Sequence, residues 1–175
     1  MLLGICGSLR KDSQNAKLMR EAARIYGGPF VEGDIRMPLY DGDLEDSEGV
    51  PAATMTLAEQ MVEAEAILLV TPEYNQSFSG SLKNALDWLS RTKLSPWKDK
   101  PVAMLSATAG RTGGARAQYA LRLAMNAFRP DLLTGPEILI AGSAKEFDEN
   151  DRLTNDRYIA ALTELMEALR AKAQS

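Results

Sequence analysis

Three scarcities in the 175-residue chain each remove a class of chemistry: it has no histidine, one cysteine and no long apolar run. Without imidazole there is no Ser-His-Asp or Cys-His nucleophile, no histidine acid–base group and no zinc site of the usual kind. The single cysteine, Cys6, allows neither an internal disulfide nor a Cys-x-x-Cys pair, which fits a reducing cytoplasm. Any redox chemistry must therefore reside in a bound cofactor. The longest apolar stretch, Ala66 to Val70, is far short of the ~20 residues a membrane helix needs. Residues Met1 to Cys6 lack the basic leader and cleavage site of a signal peptide. Nor is there an excess of basic charge: 20 basic against 24 acidic residues give −4, so nothing draws the chain to nucleic acid or anionic lipid.

What is present is a regular alternation. A chain of this length suits a single domain over residues 1–175, large enough to bury roughly 70% of the surface its unfolded form exposes. Short apolar runs at Leu2–Cys6, Phe30–Ile35, Ala66–Thr71, Val102–Ser106 and Glu137–Ala141 read as strands. The runs at 2–6, 66–71 and 102–106 are nearly continuously apolar, as strands covered on both faces should be. Helical periods separate them: Met19, Ala22, Ala23, Tyr26; Leu82, Ala85, Leu86, Leu89; Leu121, Ala124, Met125, Phe128; Leu162, Leu165, Met166, Leu169. Ala52–Ala64 is a weaker fifth. Five β–α units predict an α/β fold, a flavodoxin-like open five-stranded parallel sheet of order 2-1-3-4-5 with helices on both faces. The acidic stretches Met37–Pro51 and Glu146–Asp151 read as connections. In such a sheet ligands bind beyond the carboxyl ends of the strands, where the strand order reverses. Function is therefore expected in the loops after strands 1, 3 and 4.

The first loop, Gly7 to Asn15, gathers the hydroxyls of Ser8 and Ser13, the amide of Asn15 and the guanidinium of Arg10 at a helix N-terminus. Backbone N–H groups, the positive helix end and a forked cation are what a phosphate requires; the plainer alternative is Ser13 capping the helix with Arg10 in solvent. The loop has no Gly-Lys-Ser/Thr, so it is no P-loop. Counted from Cys6, the arginine of a Cys-x5-Arg phosphatase would fall on Asp12, which would repel phosphate, so Cys6 reads as an apolar strand residue. The second loop, Thr71 to Gly80, places Pro72, Glu73, Tyr74 and Asn75 at a strand end, suited to the edge of a planar polar heterocycle or to an ordinary turn with a capping Ser. The third, Ser106 to Gly114, is glycine-rich and lets backbone approach a ligand closely, yet it is not G-x-G-x-x-G.

The segments "GSLRKDSQNAKL" (7–18), "PEYNQSFSGSLKNALDWLSR" (72–91) and "GRTGG" (110–114) give the chain a resemblance to the NADPH-dependent FMN reductase family, with its quinone and chromate reductases and azoreductase-like flavoproteins. The resemblance implies an FMN-dependent oxidoreductase using NADPH or NADH. Its acceptor would be a small molecule: a quinone, free flavin, chromate, a ferric complex or an azo compound. It implies that Ser8, Arg10, Ser13 and Asn15 hold the FMN phosphate, and that Pro72, Glu73, Tyr74 and Asn75 line the ribityl chain and isoalloxazine. Ser77 would lie near the phosphate or the helix start, and Ser106, Gly113 and Gly114 would flank the ring. The family commonly has Pro where this chain has Ser79, itself a good N-cap, which predicts a local change at the start of that helix. It also implies a homodimer or tetramer. Trp88 and Trp97 are placed either at such an interface or against the chain's own core.

With no histidine and no thiol pair, hydride is expected to pass through flavin N5, while the protein binds, orients and sets the field. No protein acid–base residue is assigned, and alternating occupancy of one ring face predicts ping-pong kinetics. Two other readings remain open. A flavodoxin-like electron carrier would be strongly acidic around its flavin, whereas the net charge is only −4 and Arg10, Arg111 and Arg116 lie near the expected site. A flavin-binding regulatory module would show no turnover.

Overall fold

The apolar runs form the inner strands of one parallel sheet in the computed structural model, which describes residues 1–175. Strands β1 (Leu2–Cys6), β3 (Ala66–Val70) and β4 (Pro101–Ala107) lie side by side, and β2 (Phe30–Gly33) pairs along the outer edge of β1. Leu2 is level with both Phe30 and Ala66, and Leu69 with Met104. The path β2-β1-β3-β4-β5 is the expected order, with the reversal between β1 and β3. The fifth position differs in detail from the single run expected at 137–141. It holds two short segments, β5 (Asp131–Leu132) and β6 (Ile138–Ile140), which pair with the start and the end of β4. Pro136 lies between them and has no N–H to give to a ladder, so the strand breaks there.

Side chains of a strand alternate between faces, and here both faces are covered, which is why the runs are continuously apolar. Leu2, Leu68, Val70 and Leu105 pack with α1 (Gln14–Tyr26) and α6 (Asp156–Ala173). Leu3, Ile5, Ile67, Leu69 and Met104 pack with α3 (Ala52–Glu63), α4 (Gly80–Leu89) and α5 (Ala115–Met125). Each fully buried leucine contributes about 1.5–3 kcal/mol relative to leaving it in water. Trp88 and Trp97 are both buried in the chain's own core, which decides against the interface alternative for these two residues. The acidic connection after β2 contains a short helix, α2 (Gly42–Glu48), that the sequence pattern missed because no residue of it is buried. It forms locally: the Asp41 carboxylate accepts from Asp43 N at 2.9 Å, and Asp43 and Glu45 meet the positive helix end.

Candidate active site

The parallel strands all deliver their following loops to one edge of the sheet. Loop 1 leaves β1 and reaches α1 at Ser13, whose Oγ accepts from Ala16 N at 3.3 Å as an N-cap. From Ser8 through Asn15 no backbone N–H has an acceptor within the chain. Consecutive unpaired N–H groups leading into a helix N-terminus form an anion-binding concavity. The side chains of Ser8 and Arg10 border the same space. Exposed Asp12 also borders it and opposes an anion there; the Arg10 guanidinium counters that charge. Cys6 lies at the base of the loop, where burial pushes its thiol above the ordinary value. It is therefore a neutral thiol at physiological pH, as the demotion of a phosphatase nucleophile requires.

Loop 2 leaves the most apolar strand, β3. Asn75 and Gln76 both have positive φ, 50° and 67°, and Tyr74 and Ser77 exchange backbone hydrogen bonds of 2.9 and 3.1 Å around them. This is the turn geometry of tight hairpins, and it holds the half-exposed Tyr74 ring out from the strand end. Ser77 thus closes the turn and does not start the helix. The cap of α4 is Ser79: its Oγ accepts from Leu82 N at 3.3 Å and donates to Gly7 O at 2.6 Å. Ser81 donates to the same carbonyl at 2.9 Å, so the residue that departs from the family pattern ties loop 1 to loop 2.

Glu73 points its carboxylate away from the loop edge, toward the start of α5. Ala117 N donates to it at 3.4 Å and Arg116 lies 3.7 Å away. The α5 N-cap is Gly114, which has no side chain to offer, so Glu73 supplies the missing anionic cap from another loop.

Loop 3 is held from behind. Ser106 Oγ donates to Gly113 O at 2.6 Å and accepts from Gln118 Nε2 at 2.9 Å, completely buried. Gly113 (φ 61°) and Gly114 (φ 92°) are left-handed, and a side chain at either would collide, with the Leu139 backbone at 2.4 Å and with Ser106 at 2.7 Å. These three residues set the path of the loop backbone rather than presenting side chains to a ring. Asn15 likewise differs from its expected role: its amide is committed to Ala107, donating and accepting at 2.9 Å.

The loops enclose a cavity of about 390 Å³, within the size range of small-molecule sites. Of the twelve residues expected at the site, Ser8, Arg10, Ser13, Asn15, Pro72, Glu73 and Tyr74 line it, whereas Asn75, Ser77, Ser106, Gly113 and Gly114 lie outside its wall. Gln14, Thr108 and Ser143 line it too and escaped the sequence reading. Gln14 Oε1 is buried without a hydrogen-bond donor. Ser143 is brought in by the hydrogen bond of its N–H to Thr108 O at 2.9 Å, a contact across loops that no local motif signals. The arrangement suits a phosphorylated, planar, polar cofactor: unpaired N–H groups and Arg10 at one end, and an aromatic ring with strand-end backbone at the other.

An open parallel sheet with a concavity of unpaired N–H groups at its switch point is the architecture of nucleotide- and flavin-binding α/β proteins. Comparison with known proteins narrows this. The family described as NADPH-dependent FMN reductase matches residues 1–145, and the chain belongs to that family. It is 41% identical over 171 residues to an NAD(P)H-dependent FMN reductase of Pseudomonas aeruginosa, covering 96% of this chain and 92% of that one. It is 40% identical over 139 residues to a quinone reductase of Escherichia coli, covering 77% and 74%. The solved structure of a flavoenzyme NAD(P)H:acceptor oxidoreductase from Paracoccus denitrificans superposes with a TM-score of 0.89 at 30% identity, covering 99% and 96% of the two chains. The chain is accordingly an oxidoreductase of the FMN- and NAD(P)H-dependent kind. No helix is long and apolar enough to cross a membrane.

Proposed function

We propose that the chain passes reducing equivalents from NAD(P)H through FMN to a small acceptor, a quinone foremost, with donor and acceptor using one site in turn. The observation that carries this reading is the run of unpaired N–H groups from Ser8 to Asn15, on a segment that lines one cavity together with Arg10 and Tyr74. When bound, FMN supplies a ring atom, N5, that takes up and gives back hydride. Ser8, Arg10, Ser13 and the free N–H groups of α1 hold its phosphate. Pro72, Glu73 and Tyr74 line the ribityl chain and ring, chiefly through backbone, and Asn75 shapes the turn that holds Tyr74 there. Ser77, Ser106, Gly113, Gly114 and the Asn15 amide keep these loops in place. The quinone reductase at 40% identity supports a quinone acceptor. Free flavin, chromate, ferric complexes and azo compounds are further acceptors for the same open site. Residues 1–175 act as a single FMN-binding domain in a reducing cytoplasm, assembled as a homodimer or tetramer. Tyr119 and Leu123, one turn apart and exposed on α5, support such an assembly.

The visible spectrum of the purified protein tests the reading. FMN added to the protein should remain bound through gel filtration, and its visible band should bleach anaerobically on addition of NADPH or NADH and return with a quinone. A protein that keeps FMN but is reduced by neither nucleotide is an electron carrier or a regulatory module. Initial rates over both substrates should give parallel double-reciprocal lines; intersecting lines would remove the shared site.

A further inference from the structure

The cavity between the three loops has a fourth wall, supplied by the residues that follow β6. Thr108 N donates to Ile140 O at 2.9 Å, Gly142 N to Gly110 O at 3.2 Å and Ser143 N to Thr108 O at 2.9 Å. These bonds carry the pairing of β4 with β6 beyond the strand ends and fix residues 140–143 against loop 3. Gly142, at φ 57°, takes the left-handed turn that the chain makes there.

Ser143 is 2% exposed and lines the cavity, and its hydroxyl has no hydrogen-bond partner in the chain. The polar side-chain atoms that the fold fully encloses without a partner are Gln14 Oε1, Trp97 Nε1 and Gln118 Oε1. Ser143 Oγ is not one of them. It keeps an opening, and the cavity is the space that this buried residue borders. A hydroxyl held rigidly at a cavity wall, with its hydrogen-bonding capacity unused, is available to a ligand.

The charge at the start of α1 calls for such a donor. A phosphate monoester carries about −1.5 to −2 at pH 7. Arg10 and the helix end supply about +1.5, and Asp12, which lines the same cavity, takes one of it back. Lys17, the next cation along α1, is engaged by Asp151. More than half of the phosphate charge is therefore left to neutral hydroxyl and N–H groups. Ser143 is tied to this end of the cavity: its N–H bonds Thr108, and the preceding residue, Ala107, is bonded twice to Asn15 in the first turn of α1. Ala109, whose N–H has no acceptor, lines the same cavity.

We propose, on the FMN reading above, that Ser143 is a further binding residue of the site, its hydroxyl donating to a phosphate oxygen of FMN. Flavin fluorescence titrations of the full chain with FMN and with riboflavin test this, together with the phosphorus NMR signal of bound FMN. Ser143→Ala keeps the N–H that bonds Thr108 and removes only the hydroxyl. It should weaken FMN about tenfold, the loss of one hydrogen bond to a charged group, and riboflavin by less than about twofold. At saturating FMN its phosphorus resonance should differ from that of the parent chain, a change that a purely structural role would not produce. Ser143→Asp, which sets a carboxylate at the same place, should weaken FMN at least about a hundredfold while riboflavin still binds. The proposal is overturned if Ser143→Ala binds FMN like the parent chain, if FMN and riboflavin weaken together, or if the phosphorus resonance does not move. A parent chain that binds no FMN would overturn the FMN reading itself, and this role of Ser143 with it, before any variant is compared.

Discussion

Asn15 and Ala107 exchange two hydrogen bonds, Nδ2 to O and N to Oδ1, each 2.9 Å long, across 92 residues of sequence. The pair is buried and joins the start of α1 to the end of β4, so the loop-1 end of the cavity is tied to the start of the third loop.

Removing that amide leaves a buried N–H and a buried C=O unpaired. Asn15→Ala should cost about 2–3 kcal/mol of stability and weaken FMN binding. Asn15→Asp should be no better, because a carboxylate would face the Ala107 carbonyl. Urea denaturation of the two variants checks this; a loss within about 0.5 kcal/mol would show that the tie is dispensable.

Arg10 is the guanidinium that borders the unpaired N–H groups. Arg10→Ala should loosen FMN roughly 10–100-fold, the worth of a charge-assisted hydrogen bond, while riboflavin, lacking the phosphate, binds almost as before. Flavin fluorescence titrations with both ligands separate the outcomes. Equal loss for FMN and riboflavin would move Arg10 from the phosphate.

Two glycines with positive φ should respond differently to alanine. Gly28 (φ 86°) has open space around it, so Gly28→Ala bears only the backbone strain, about 1 kcal/mol. Gly113→Ala adds a collision with the Leu139 backbone and should cost about 3 kcal/mol or more, with reduced flavin retention as loop 3 shifts. Thermal denaturation should rank them clearly, since 1 kcal/mol corresponds to about 2–4 °C at this chain length.

Glu21 carries a carboxylate only 2% exposed, bonded to Arg24 through both oxygens at 2.9 Å and to Arg152 at 2.9 Å. The hydrogen bonds from Arg24 and then Arg152 outweigh burial and hold its pKa below the ordinary 4.5. A lowered folded-state pKa means that the stabilisation is fully present above about pH 4.5 and is lost as the pH falls through the folded value. Glu21→Gln should therefore cost about 1–2 kcal/mol at pH 7, a modest figure because both arginines are half-exposed. The difference from the parent chain should shrink at pH 3; urea midpoints at the two pH values measure it.

Much of this molecule was legible in the sequence because local physics determined it. The continuous apolar runs announced strands buried on both faces, and Ser13 and Ser79 marked the helices that follow them. The split of the last strand and helix α2 were not legible: the first depends on where Pro136 meets β4, and the second buries no side chain that would leave a period. Within the site, residue types indicated a phosphate and a heterocycle, but not which side chains would be free to meet them. Asn15, Ser106 and Glu73 all carry the right groups and direct them into the protein instead.

The missing histidine and the single cysteine settled, from sequence alone, that the chain owns no side-chain redox couple and no imidazole chemistry. The order of its loop motifs likewise determined its family. Only the tertiary structure decided how the loops are built. Hydrogen-bond partners such as Asn15 with Ala107, Glu73 with Ala117 and Ser143 with Thr108 lie far apart in the chain. They become neighbours only when parallel strands bring their carboxyl ends to one edge. A polar side chain is committed to its backbone partner or left for a ligand by that packing, which no local pattern encodes.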